Sequence, residues 1–182
     1  TFLDGYRVTR YDLVSSLFEY RFSSNGDLGG HTVGNLLLIA LTELNQNSFP
    51  KAIQEASKLL AVRGQIIPAS LQPTVLCAEL ADGEIVRGES LIPERKNREP
   101  IRRIFLEPRG NDSVTAVTAH RGAVTAIHQA DAIVIGPGSL YTSIMPNLAY
   151  SEIAEAVRTS TAVKIYICNV MSQPGETDNY TV

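Results

Sequence analysis

The sequence predicts an α/β fold with a parallel strand pair and a small antiparallel β insertion. Two apolar runs, "AIVI" (132–135) and "AVKIYICNV" (162–170), are continuous rather than alternating, as in strands buried on both faces. A helical stretch (151–158) lies between them, which makes a βαβ unit with a right-handed crossover and parallel strands. The insertion is signalled by Asp82-Gly83 between "TVLCAEL" and "EIVRGESL", a hairpin dipeptide whose two residues tolerate positive φ.

The remaining elements follow in chain order. Residues 11–22 place Val14, Phe18 and Phe22 four apart, the spacing of an amphipathic helix. A glycine-rich loop precedes a second helix over about Thr32 to Glu43, apolar almost all round and so expected to be central. A third helix fits 50–62, with Ser48 and Pro50 at its start, Gly64 at its end, and Ile53, Ala56 and Leu60 on its inner face. Residues 65–107 form the β insertion, with "IRRIFLE" (101–107) as a further strand. "PERKNREP" (93–100) is charged and bracketed by prolines, which predicts a solvated surface loop. A helix over about 120–129 leads into the first apolar strand, and the whole reads as one domain over 1–182.

Composition excludes several classes. Of 182 residues, 44% are hydrophobic and 19% charged, a globular profile with a net charge of −3 and no basic stripe for nucleic acid. The longest aliphatic run, "LLLIAL", has six residues, too few for a membrane span, and no signal-peptide pattern opens the chain. Cys77 and Cys168 sit in apolar strand-like runs without CxxC or His companions, which predicts reduced, buried thiols in a cytoplasmic protein. No catalytic-triad order, HExxH or GxxxxGK[ST] pattern is present.

Three stretches concentrate polar chemistry. Ligands of an open parallel sheet bind beyond the carboxyl ends of its strands. After Ile135 comes "GPGSLYTS" (136–143), where Gly136 and Gly138 permit close approach and Ser139 can donate to a phosphate oxygen. The same residues suit an ordinary strand-to-helix turn with a serine cap. After Cys168 comes "NVMSQPGETDNYT" (169–181), where Asn169 and Gln173 can read amide or hydroxyl edges. Glu176 and Asp178 there can hold Mg²⁺ through water or fix a ribose diol, or else belong to a solvated Pro-Gly turn.

The third stretch is "NGDLGGHTVGN" (25–35), at the mouth of the second helix, where unpaired N–H groups and the helix dipole attract anions. His31 can donate to a phosphate and exchange a proton, Asp27 is a candidate metal ligand or base, and Asn35 adds an amide. Gly34 allows close approach of a ligand or packs beneath a neighbouring element. His120 and His128 read as surface or helix-end residues. The expectation is that the two strand tips and the helix mouth converge on one diphosphate.

"GDLGGHTVGNLLLIAL", "IVIGPGSLYTSIMPNL" and "YICNVMSQPGETDNYT", with "RGQIIPAS" and "DGEIVRGES" between them, closely resemble the gluconeogenesis factor family. That family belongs to the CofD-like superfamily and is related to 2-phospho-L-lactate transferase. The resemblance implies a Rossmann-like, three-layer α/β domain with a mostly parallel sheet. It implies a bacterial, cytosolic protein that binds UDP-sugars and is linked to growth on gluconeogenic carbon and to cell shape. Carried onto these positions, it makes His31, Gly34 and Asn35 pocket residues, Gly136, Gly138, Ser139 and Thr142 a phosphate-side lining, and Asn169, Gln173, Glu176, Thr177 and Asp178 part of the same site.

The transferase branch implies an alternative: Mg²⁺-dependent transfer from a GDP-linked donor to a deazaflavin hydroxyl, with Asp27 or His31 as base. Family members also begin with a GGGTG-type loop and an Asp-Asp-Gly-Gly-Ser-Ser loop, neither of which is in this sequence, and continue past the "DNYT" block. A piece of a longer protein, with a homo-oligomer left open, is therefore the expectation.

Overall fold

The computed structural model describes residues 10–23, 26–110, 116–178 and 180. Asn25 of the glycine-rich loop and Asn179 and Thr181 of the last block lie outside the described residues. The described chain forms two compact units that divide between Ile67 and Pro68.

The first unit contains α1 (Arg10–Glu19), α2 (Val33–Leu44) and α3 (Phe49–Leu59). Thr32 caps α2, its Oγ1 accepting from the Asn35 N–H at 3.1 Å. At the other end Gln46 turns left-handed (φ 58°), and the N–H groups of Gln46 and Asn47 return to the Glu43 and Thr42 carbonyls. Helix α3 ends the same way at Ala61 (φ 49°), so it stops before the predicted Gly64. Ala52, Ile53 and Ala56 form its buried face.

Helix α2 is not the buried centre its composition predicts. None of its residues is buried, and Leu44 is 79% exposed. Within this unit α1 and α3 are the helices packed on α2, and its apolar residues run all the way round, so part of that surface stays open.

The second unit holds two sheets. Strands β1 (Thr74–Leu80), β2 (Ile85–Arg87) and β3 (Ile101–Pro108) pair antiparallel in the order β2-β1-β3. In the predicted hairpin only Gly83 takes positive φ (91°); its N–H donates to Leu80 O at 3.0 Å, and Leu80 N–H reaches Glu84 O at 2.9 Å. The turn is therefore a β-turn followed by a glycine bulge, rather than a two-residue primed turn. Leu76, Ala78, Leu80 and Ile101 build the core of this sheet, together with Ile92 of the short helix α4 (Leu91–Glu94). Tyr141 packs against the same core.

Helix α5 (Arg121–Gln129) precedes β4 (Ala132–Ile135). A five-residue π-helical turn (Leu140–Ile144), α6 (Met145–Leu148) and α7 (Ser151–Thr159) then lead to β5 (Val163–Tyr166). Strands β4 and β5 are parallel, as the βαβ pattern requires, with Ile135 opposite Tyr166. Among the described residues the strands therefore form a mixed α/β fold, with more antiparallel than parallel pairing, in place of a mostly parallel sheet. Nor are β4 and β5 buried on both faces, since all four residues of β5 are exposed. Helices α5 and α7 pack together, and their apolar residues Ile127, Ile153 and Val157 line one cavity with Ile133 and Ile135 of β4. Among the described residues no third strand pairs with β5. No described helix is long and apolar enough to cross a membrane.

Candidate functional site

The parallel register sets the site. Ile167 N–H donates to Ile135 O at 2.9 Å, so the segments after β4 and β5 leave the sheet side by side. Asn169 then grips Gly138 twice: its Oδ1 accepts from the Gly138 N–H at 3.1 Å and its Nδ2 donates to the Gly138 carbonyl at 2.6 Å. Gln173 Nε2 donates to Ser139 Oγ at 3.0 Å. Glu176, buried, accepts from the Tyr141 N–H at 2.9 Å, the Thr142 N–H at 3.2 Å and Thr142 Oγ1 at 2.9 Å.

Within the second segment the turn is self-closed. Thr177 Oγ1 accepts from the Gln173 N–H at 2.8 Å, and Asp178 Oδ2 accepts from the Gly175 N–H at 2.9 Å. The structure thus joins Gly138, Ser139 and Thr142 to Asn169, Gln173 and Glu176. Gly136 stands at the head of the first loop, and a Cβ built on it meets nothing within 4 Å. The two amides do something the sequence did not indicate. They tie loop to loop, where the expectation had them reading a ligand. Ser139 accepts from Gln173 and keeps its own proton to donate.

A small cleft of about 190 Å³ opens beside these loops, lined by Leu140, Tyr166, Cys168, Asn169, Thr177 and Tyr180 among others. Cys168, two residues past the end of β5, is exposed there, contrary to the expectation of a buried thiol. Tyr141 and Tyr180 share a 2.6 Å hydroxyl–hydroxyl bond, and burial followed by that bond pushes the Tyr141 phenol up to about 12.

Arg95 is the residue that sequence reasoning missed. It lies in the charged 93–100 run but is only 8% exposed. Its Nη1 donates to the Ile92 carbonyl at 2.6 Å and to the Gly175 carbonyl, and its Nη2 to the Glu99 carbonyl at 3.1 Å. Burial holds its guanidinium below the usual arginine range, and Arg98 adds to that, while Asp178, Glu176 and Glu84 oppose it. Nothing in a run of six polar residues marks which one turns inward.

The first unit carries the other candidates. Asp27 and His31 are both exposed. His31 and Asn35 line one end of a groove of about 630 Å³ that continues along Leu38, Ile39 and Phe49. Gly34 is accounted for by packing: a Cβ there would meet Phe18 O at 3.1 Å. The helix mouth is also partly satisfied from within, because the Val33 N–H goes to Tyr20 O and the Asn35 N–H to Thr32 Oγ1. His120 sits at the N-terminal cap of α5 and His128 in its last turn.

The family described as 2-phospho-L-lactate transferase CofD matches residues 5–182, nearly the whole chain. The chain belongs to the CofD family. It is 49% identical to the gluconeogenesis factor of Listeria innocua over 168 residues, 92% of this chain and 49% of that protein. It is 48% identical to the gluconeogenesis factor of Bacillus subtilis, over 93% of this chain and 50% of that one. A solved UPF0052-family protein from Bacillus halodurans superposes with a TM-score of 0.80 at 49% identity, over 93% of this chain and 52% of that chain. The chain spans about half the length of the curated relatives it matches.

Among the described residues no group of three or more His, Cys, Asp or Glu side chains is placed to hold a metal. Glu176 is committed to three hydrogen bonds, whereas Asp178 gives one oxygen to Gly175 and keeps the other.

Proposed function

We propose that this chain supplies the strand-tip half of a nucleotide-diphosphate pocket in a gluconeogenesis-factor-type protein, which binds a UDP-sugar in the cytoplasm in support of gluconeogenic growth and cell shape. One observation carries the reading. The carboxyl ends of two adjacent parallel strands open into loops that are hydrogen-bonded to each other. In open α/β sheets that is where phosphorylated ligands bind. In this reading the short parallel pair is part of a larger Rossmann-like, three-layer sheet in the whole protein.

The chemistry of each residue follows from its existing bonds. Asn169, Gln173 and Glu176 pre-organise the loops, so that little ordering cost remains when a ligand arrives. Gly136 leaves room for a phosphate to approach the backbone, and Ser139 donates its hydroxyl proton to a phosphate oxygen. The cleft here is smaller than the ~300–1,000 Å³ of a typical small-molecule site, so the sugar and base extend onto other surfaces of the whole protein.

Titration calorimetry of the full-length protein tests this. UDP-N-acetylglucosamine should bind saturably, and Ser139→Ala should weaken it by about 1.5–3 kcal/mol, the cost of one lost hydrogen bond to a charged group. Absence of binding, together with turnover of a GDP-linked phospholactate donor and a deazaflavin, would favour the transferase alternative that the family description names.

A further inference from the structure

The 173–178 turn is held from below as well as from within. Gly175 has φ 83°, and a Cβ on it would overlap the Pro93 carbonyl, so the turn lies directly on α4. Ile92 of α4 is fully buried in the β core. Between this anchor and the turn stands Arg95, whose fork satisfies the carbonyls of Ile92, Glu99 and Gly175 together. Gly175 is followed directly by Glu176, whose carboxylate fixes Tyr141 and Thr142. Bonds therefore run without a break from the β core through Arg95, Gly175 and Glu176 to the loop after β4.

We propose that Arg95 is a positioning residue: a buried guanidinium that sets the geometry of both loops through the Gly175 carbonyl and Glu176, without touching a ligand. Three observations carry this. A cation that is 8% exposed is costly unless its donors are used, and Arg95 spends both Nη groups on three backbone carbonyls, leaving Nε buried without a partner and no carboxylate in direct contact. The planar fork of arginine reaches three carbonyls in a fixed geometry, which the ammonium of lysine does not reproduce. The buried carboxylate of Glu176 lies on the same short turn, within electrostatic reach of the guanidinium. The binding part of the proposal rests on the UDP-sugar reading above; the positioning part does not.

The test uses the full-length protein as wild type, Arg95→Lys and Arg95→Met, followed by amide hydrogen exchange and by titration with UDP-N-acetylglucosamine. In Arg95→Met the Tyr141 and Thr142 amides should exchange at least about tenfold faster, the effect of losing roughly 1.4 kcal/mol of local protection. The β1–β3 ladder should keep its protection, and Arg95→Lys, which keeps the charge and provides a second variant should the methionine not fold, should lie between. Nucleotide affinity should fall in the same order.

Unchanged exchange at Tyr141 and Thr142, or an equal loss along the β1–β3 ladder, would overturn the assignment. So would undiminished UDP-N-acetylglucosamine affinity in a variant whose loop had loosened. If the wild type binds no nucleotide, the functional reading fails and the exchange experiment alone decides the role of Arg95.

Discussion

Thr142 and Glu176 are bonded twice, through the Thr142 N–H and through its hydroxyl, so one buried carboxylate closes the loop after β4 onto the segment after β5. Removing that carboxylate orphans the Tyr141 and Thr142 amides. Glu176→Ala should therefore destabilise the protein by about 2–4 kcal/mol, given the cost of hydrogen bonds to charged groups and of stranded donors. Urea unfolding checks this, and a shift of the midpoint within error would show that the contact stabilises nothing.

Two glycines with similar φ separate backbone strain from overlap. Gly83 (φ 91°) has open space where a Cβ would go, while Gly175 (φ 83°) has Pro93 O and the Arg98 guanidinium. Gly83→Ala should cost about 1–2 kcal/mol for the left-handed conformation alone. Gly175→Ala should cost clearly more, because the turn must also lift off its floor. Equal losses in thermal unfolding would remove the packing argument.

The two thiols should differ sharply. Cys77 is fully buried, and burial followed by the neighbouring Glu107 pushes its thiol up to about 11, so little thiolate exists at pH 8. Cys168 is exposed. A maleimide at pH 8 should label Cys168 in the native protein and Cys77 only after unfolding, as peptide mass spectrometry would show; rapid native labelling of Cys77 would contradict its burial.

Acid should weaken the fold through surface carboxylates. Asp82 is held below the usual range by the Glu84 N–H and then Asn97, Glu107 by Arg87, and Glu155 by Arg158. Lowered folded-state values mean that the unfolded chain takes up protons first. This stabilisation is full above the ordinary carboxylate range and is lost as pH falls through the lowered values. Melting temperature should decline on acidification below about pH 5, less steeply at high salt. A melting temperature that stays level or rises on acidification would contradict these assignments.

Much of the architecture was legible because local signals agreed with it. "TVLCAEL" is β1 residue for residue, and the βαβ pattern gave the right parallel pair. Thr32 and Pro50 placed two helix starts, whereas the π-helical turn over Leu140–Ile144 carries no distinctive signature. Burial was misread where it depends on what covers a surface. An apolar run such as Val163–Tyr166 shows what a strand is suited to, not what lies against it.

The site divided in the same way. Loops at strand tips follow from topology, so their meeting could be anticipated. Arg95 could not, because its burial follows from a carbonyl 80 residues further along the chain. Asn169 and Gln173 were recognised as residues of the site but not as the bonds that hold it together.

Hydrogen exchange of the full-length protein with and without UDP-N-acetylglucosamine decides whether the two strand tips form one pocket. Exchange should slow in both 136–143 and 169–178 on adding the nucleotide, with no change along the β1–β3 ladder. Protection confined to other segments, or to one of the two loops alone, would contradict a pocket built jointly by the two strand tips.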